Sequence, residues 1–292
     1  MSGNTALALE ASNPCSLISD GTQLTVLPAA VPELLASLSN EDISFGKLAT
    51  TIGKFPSIAA RLIFLANSAW AAPISEITTL EAACAKLGLS LVKSVSISLA
   101  IAAPFDPAKC PAFESERFWA TALLVADAAS WLAPHAREFE GGDTGTIHTA
   151  ALLHNLGLLW MADQIPESLY HALERAKADS DRSLDELLRI HCGADHAEIG
   201  GCLASAWGLP SVIESAMRNH LDFSYTGRHW QVAQLTGYSV TMMHCLEHQI
   251  DPLPGDLRLE RLGIRTDQRD AVFERLQQRH EQVRAMVRDL FC

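Results

Sequence analysis

The stretch Ala150-Ala-Leu-Leu-His154-Asn155-Leu-Gly157-Leu-Leu-Trp160 is apolar apart from one histidine and one asparagine. Ile147, Ala150, His154, Gly157 and Met161 recur at three- and four-residue spacing, which predicts one helix over 147–161 with His154 in its apolar stripe. So apolar a helix has to be buried against other elements. The chain has no period-two runs rich in Val, Ile and Thr that would build a sheet over it. The cover must come from further helices, and the whole chain is predicted all-α.

The remaining punctuation divides the chain into lobes. Residues 1–26 are small and polar and read as a tail. A first helical lobe is expected over 27–110 and a second over 111–225. The two prolines of Phe105-Asp-Pro-Ala-Lys-Cys-Pro111 mark the boundary, and a helical extension follows over 226–292. In the first lobe Asn40 is placed to cap a helix over 43–52, and Pro56 to sit in the first turn of 57–66. Gly88 should stop a helix over 79–87, and 91–102 is apolar enough to be buried. The second lobe should carry a helix over 115–132 and a loop through Gly141-Gly142-Asp143. Ser183-Leu-Asp-Glu186 is a capping box for 184–191. Gly208 should end 195–207 and Pro210 start 211–220, with longer helices over 228–249 and 267–291.

Charge and cysteine usage narrow the function classes. With 34 acidic and 22 basic residues the formal net charge is −12, and no run of Lys or Arg offsets it. Such a surface repels phosphate backbones and anionic lipid, so neither nucleic acid nor membrane is an expected partner. No apolar run reaches the roughly eighteen residues of a span, and residues 1–24 lack the pattern of an export leader. The seven cysteines, at 15, 84, 110, 192, 202, 245 and 292, are scattered, odd in number and never spaced Cys-x-x-Cys. They are expected to be free thiols of a reducing compartment, the cytoplasm.

Two further histidines share the setting of His154. His196 lies on a helical face with Ile199, Cys202/Leu203 and Ala206, and His220 continues the stripe of Ile213, Ala216 and Met217. Each ring is expected to point into helix packing. Two readings stay open: core histidines hydrogen-bonded in place, or a metal site of the kind built between bundle helices. His148 is six residues before His154, about 120° around a helix, and reads as surface or outer shell. His244-Cys-Leu-Glu247-His248 fits a His-x-x-Glu-His peptidase pattern, but no third ligand follows, and an ordinary helix face is the plainer reading. Gly46-Lys47 lacks the rest of a phosphate loop. Asn67-Ser68 is a candidate polar contact between the lobes.

The ordered set of motifs resembles the HD superfamily of metal-dependent phosphohydrolases, in particular its HD-related output domain (HDOD) branch. The matching residues are Leu152-Leu153-His154-Asn155-Leu156-Gly157, Gly193-Ala-Asp195-His196-Ala-Glu198-Ile-Gly200, Trp207-Gly208-Leu209-Pro210 and Ile213 through His220. Leu27-Pro28, Phe55-Pro56, Leu65-Ala66-Asn67-Ser68-Ala69 and Leu87-Gly88 extend the likeness through the first lobe. The resemblance implies a two-lobed helical bundle with an HD-like second lobe. It also implies a bacterial regulatory output module in two-component or cyclic-dinucleotide circuits, touching kinase, receiver, cyclase or phosphodiesterase components.

The departures from the hydrolase pattern are specific. No histidine falls among Phe118–Ala122, the HD aspartate is Asn155, the His-His pair is His220-Leu221, and 231–243 has no acidic residue. Two close dications need anionic ligands, which neutral imidazoles do not supply. What remains open as alternatives is one Zn, Ni or Fe ion on His154, His196 and His220 in a phosphohydrolase, or a cyclic-nucleotide sensor without turnover. A homodimer through 228–291 is also open.

Overall fold

The computed structural model describes residues 14–19, 34, 43–68, 70–137, 139, 144–179, 181–252 and 255–291. Of the predicted tail, residues 14–19 form a helix. The expectations for Leu27-Pro28, Asn40, Ala69, Gly141-Gly142-Asp143 and Cys292 lie outside the described residues. Among the described residues every regular element is a helix, as the absence of strand patterning predicts.

The first lobe is built from α2 (Phe45–Ile52), α3 (Pro56–Asn67), α4 (Leu80–Leu87) and α5 (Leu89–Ala102), after the short α1 (Pro14–Ser19). Ser44 caps α2, its hydroxyl accepting from the Lys47 amide at 3.3 Å. Pro56 occupies the first position of α3, where its missing N–H costs nothing. Gly88 takes φ +84, which lets α4 turn by 114° into α5 without a gap. Asn67 donates to the carbonyls of Ile63 and Ile77 and accepts from the Ile77 amide at 2.8 Å. Its contacts stay inside the first lobe, so it pins the 68–79 loop and does not bridge to the second lobe.

The second lobe surrounds α6 (Ser115–Leu132), buried along most of its length. Next come α7 (Thr144–Leu152) and α8 (Leu156–Gln164). The single helix predicted over 147–161 is therefore two, broken at Leu153-His154-Asn155. Both halves are buried nearly all round, so the apolar spacing runs through the break without marking it. A helix the sequence reading did not single out, α9 (Pro166–Ala178), follows with Pro166 in its first turn. α10 (Leu184–Cys192) opens on the predicted Ser183–Glu186 capping box, α11 (His196–Ala206) on a second box made by Asp195 and Glu198, and α12 (Ser211–Asn219) follows Pro210.

The C-terminal residues pack back onto this lobe through α13 (Trp230–His248), α14 (Leu257–Leu262) and α15 (Thr266–Phe291). α15 lies along α6 and also touches α3 of the first lobe. Phe291 stacks on Trp119 with centroids 4.6 Å apart, and Arg284 and Arg288 both reach Glu116. One connected apolar core runs from Ile18 to Leu290. Among the described residues no single helix is long and apolar enough to cross a membrane.

The expectation of seven free thiols is corrected for two of them. Cys15 and Cys202, 187 residues apart, are joined by a disulfide because α1 packs on α11. No spacing rule could have paired them. Cys84, Cys110, Cys192 and Cys245 are free and buried.

Candidate functional site

The three histidines singled out by sequence meet in the second lobe, all buried. His154 stands in the break between α7 and α8, His196 is the first residue of α11, and His220 is the C-cap of α12. Two glycines let the helices close on them. A β-carbon at Gly157 would collide with the carbonyl oxygen of His196, and one at Gly237 on α13 with that of His220. The ring of His154 is perpendicular to that of His220 with centroids 5.2 Å apart, and those of His196 and His220 are 5.4 Å apart.

Hydrogen bonds fix how the rings share protons. His154 Nδ1 donates to the Ala151 carbonyl at 2.7 Å, and His220 Nδ1 to those of Ala216 and Met217 at 3.0 and 3.1 Å. With its proton on Nδ1, His220 presents Nε2 as an acceptor, and His196 Nε2 lies 3.4 Å from it and donates. These tautomers are assigned from the hydrogen-bond partners. His196 Nδ1 is then a bare nitrogen, buried without a hydrogen-bond partner, and Asp185 Oδ1 is 3.5 Å away. Burial, then the nearby Asp195 carboxylate, raises the Asp185 pKa. Asp185 was legible only as part of a cap, because nothing in its local sequence says that the start of α10 comes within reach of His196.

Burial is also the main reason that the imidazoles stay neutral. It takes His154 well below the ordinary histidine value, with the His220 ring adding to the shift. His220 is lowered to about 4 by burial and then by His196. His196 is lowered by burial against the opposing pull of Asp195. Asp195 itself is occupied by the amides of Ala197 and Glu198 at 2.8 Å and by Arg189.

The family resemblance implies a metal here, and the donors can be tested. The 3.4 Å between His196 Nε2 and His220 Nε2 would suit two ligands on one ion as well as a hydrogen bond. A protein-held ion needs at least a third side chain. Among the described residues no three His, Cys, Asp or Glu side chains are placed to hold one. Asn155, buried beside His154, brings a neutral amide where a carboxylate would bring charge. As placed, the set does not fit a metal centre.

The sequence profile of the HDOD domain matches residues 24–223, more than half of the chain. The chain belongs to the HDOD family. An uncharacterized Treponema pallidum protein is 26% identical over 201 residues, covering 66% of this HDOD chain but only 37% of that relative. A protein from Marinobacter aquaeolei VT8 named for signal transduction superposes with a TM-score of 0.80 at 21% identity, covering 94% of this chain and 61% of that one. A Shewanella amazonensis SB2B protein named as a phosphohydrolase gives 0.70 at 22% identity, covering 96% and 99%. An HDOD domain protein of unknown function from Geobacter sulfurreducens gives 0.71 at 18%, covering 95% and 98%. At these identities the structures establish the HDOD fold.

Two other sequence candidates resolve differently. His244 and His248 lie on one face of α13 with ring centroids 4.3 Å apart, but both are exposed, and Glu247 is held by Arg117 at 2.7 Å. His148, read as surface or outer shell, is instead mostly buried and joins a network between the lobes. Its Nε2 is 3.3 Å from Asp127 Oδ1, while Asp127 Oδ2 receives Arg279 of α15 at 2.5 Å. Although burial works to raise the Asp127 pKa, His148 and Arg279 hold it below the usual carboxylate value. The network borders a cleft of about 340 Å³ between α5, α6 and α7, lined by Lys93, Ser94, Trp131 and Thr144 among others. Ser94 Oγ is 3.4 Å from both ring nitrogens of His148 and donates to the Ser90 carbonyl. A catalytic triad needs the serine proton aimed at one ring nitrogen; Ser94 is equidistant from both and gives its proton to the Ser90 carbonyl, so this cluster is not one.

Proposed function

We propose that this HDOD chain is a regulatory output module that works by docking to signalling proteins and does not turn over a substrate. The observation that carries this reading is the donor set: among the described residues no three His, Cys, Asp or Glu side chains are placed to hold an ion. The Nδ1–carbonyl bonds of His154 and His220 leave their Nε2 atoms to other partners, and His196 Nε2 lies 3.4 Å from that of His220. A hydrolase pocket offsets the charge of its ions with carboxylates, and here the neighbour of His154 is the neutral amide of Asn155. The partners we expect are kinase, receiver, cyclase or phosphodiesterase components in the cytoplasm, together with a second copy of the chain.

The test is metal analysis of the purified chain, together with phosphoester hydrolysis in added Mn, Zn, Ni or Fe. The docking reading expects no stoichiometric metal and no hydrolysis above the His196→Ala variant. One tightly held ion per chain, with hydrolysis that His196→Ala abolishes, would establish the phosphohydrolase alternative. Calorimetry should then detect binding to purified receiver or kinase domains. Nucleotide sensing without turnover draws on the 340 Å³ cleft, and calorimetry with cyclic dinucleotides reads it separately.

A further inference from the structure

We propose that Cys202 is a hydroperoxide-reactive thiol and Cys15 its resolving partner, so that oxidation ties α1 onto α11 and reduction releases it. This goes beyond the docking reading and does not depend on it.

The first support is the setting of the sulfurs. Cys202 is half-buried, and Arg218 Nη1 lies 3.9 Å from its sulfur. Gly201 makes this approach possible: a β-carbon there would meet the Arg218 side chain at 2.7 Å, so the guanidinium can lie across α11 to its neighbour. Arg218 is in turn oriented by Glu214 at 3.1 Å. A guanidinium beside a thiol favours the thiolate, the form that attacks peroxide. Cys15 is also half-buried, with its sulfur over the Glu198 carbonyl at 3.6 Å.

The second support is contrast. Cys84, Cys110, Cys192 and Cys245 are all buried, and burial raises each thiol, to about 11 for Cys84 and about 12 for Cys192. Such thiols are inert at neutral pH. Among the described cysteines the accessible pair is also the bonded pair.

The third support is what the bond holds. α1 has only six residues, too few to persist as an isolated helix; it packs on α11, is joined to it by the disulfide, and buries Ile18. α11 begins with His196, so the tie lies on the helix that supplies one of the three clustered histidines. In the reaction the Cys202 thiolate displaces hydroxide from hydrogen peroxide to give a sulfenic acid. The Cys15 thiol then attacks that sulfur, forming the disulfide and releasing water. A dithiol reverses this by two exchange steps, becoming a disulfide itself.

The test uses the full chain, reduced with dithiothreitol, desalted and titrated with hydrogen peroxide. Thiols are counted by maleimide mass shift and mapped by peptide. One peroxide per chain should consume Cys15 and Cys202, leaving five of the seven cysteines free. Cys15→Ser should stop Cys202 at a sulfenic acid that dimedone traps. Arg218→Gln should slow the reaction roughly tenfold with the same two cysteines consumed. Hydrogen exchange over 197–206 should be slower in the oxidised chain, a difference lost in Cys15→Ser. Three results would overturn the proposal: peroxide consuming other cysteines first, a Cys15–Cys202 bond that resists dithiothreitol in the folded chain, or equal exchange in both states.

Discussion

Asp127 holds His148 with one carboxylate oxygen and Arg279 with the other, so a single buried acid ties the α7 wall of the interlobe cleft to the last helix. Asp127→Asn should keep the shape and lose both charge-assisted bonds. Arg279 is about one-third exposed, which moderates the loss to about 2 kcal/mol by chemical denaturation. The double variant with Arg279→Gln should be less destabilised than the sum of the two singles. Strict additivity would mean that the pair does not interact.

Acid should weaken this HDOD fold well above the carboxylate range. His220 titrates at about 4 when folded but near 6.5 when unfolded, so the unfolded chain binds more protons between those values. Stability is therefore full above pH 6.5 and falls as the pH drops towards 4, by about 3 kcal/mol for this one residue. His154 and His196 act in the same direction, and the raised Asp185 opposes them. Denaturation midpoints measured from pH 7.5 to 4.5 should show this slope, and His220→Gln should flatten it.

Asn155→Asp restores the acid of the hydrolase pattern in a pocket with no charge to receive it. Asn155 is buried, so the variant should lose about 2 kcal/mol. Added Mn or Zn should not recover the loss. Recovery in a thermal-shift assay would show that the pocket can hold an ion.

Gly237→Ala places a methyl group against the His220 carbonyl, where main chain, not a pliable side chain, must give way. A cost of about 3 kcal/mol is expected, against about 0.5 kcal/mol gained at an unconstrained helical glycine. A stabilised variant would mean that α12 and α13 do not approach so closely.

Much of this architecture was written locally. Ser183 with Glu186, Pro56 and Gly88 act within one turn, so their helices begin and end where the residues say. The three histidines could be found because each lies on an apolar stripe. The break at His154 could not, since two helices buried all round carry no polar face whose phase would shift there. Asp185, the Cys15–Cys202 bond and the Asp127–Arg279 pair were invisible for a different reason. Each depends on which helices become neighbours across long separations, and periodicity says only which face of each helix is turned inward.

The glycine seats have a consequence for how such a protein changes over generations. Gly157 and Gly237 set the walls of the histidine chamber by backbone meeting backbone, leaving the imidazoles as furnishings rather than beams. A lineage can then swap those lining groups singly, surrendering old chemistry while the room keeps its dimensions.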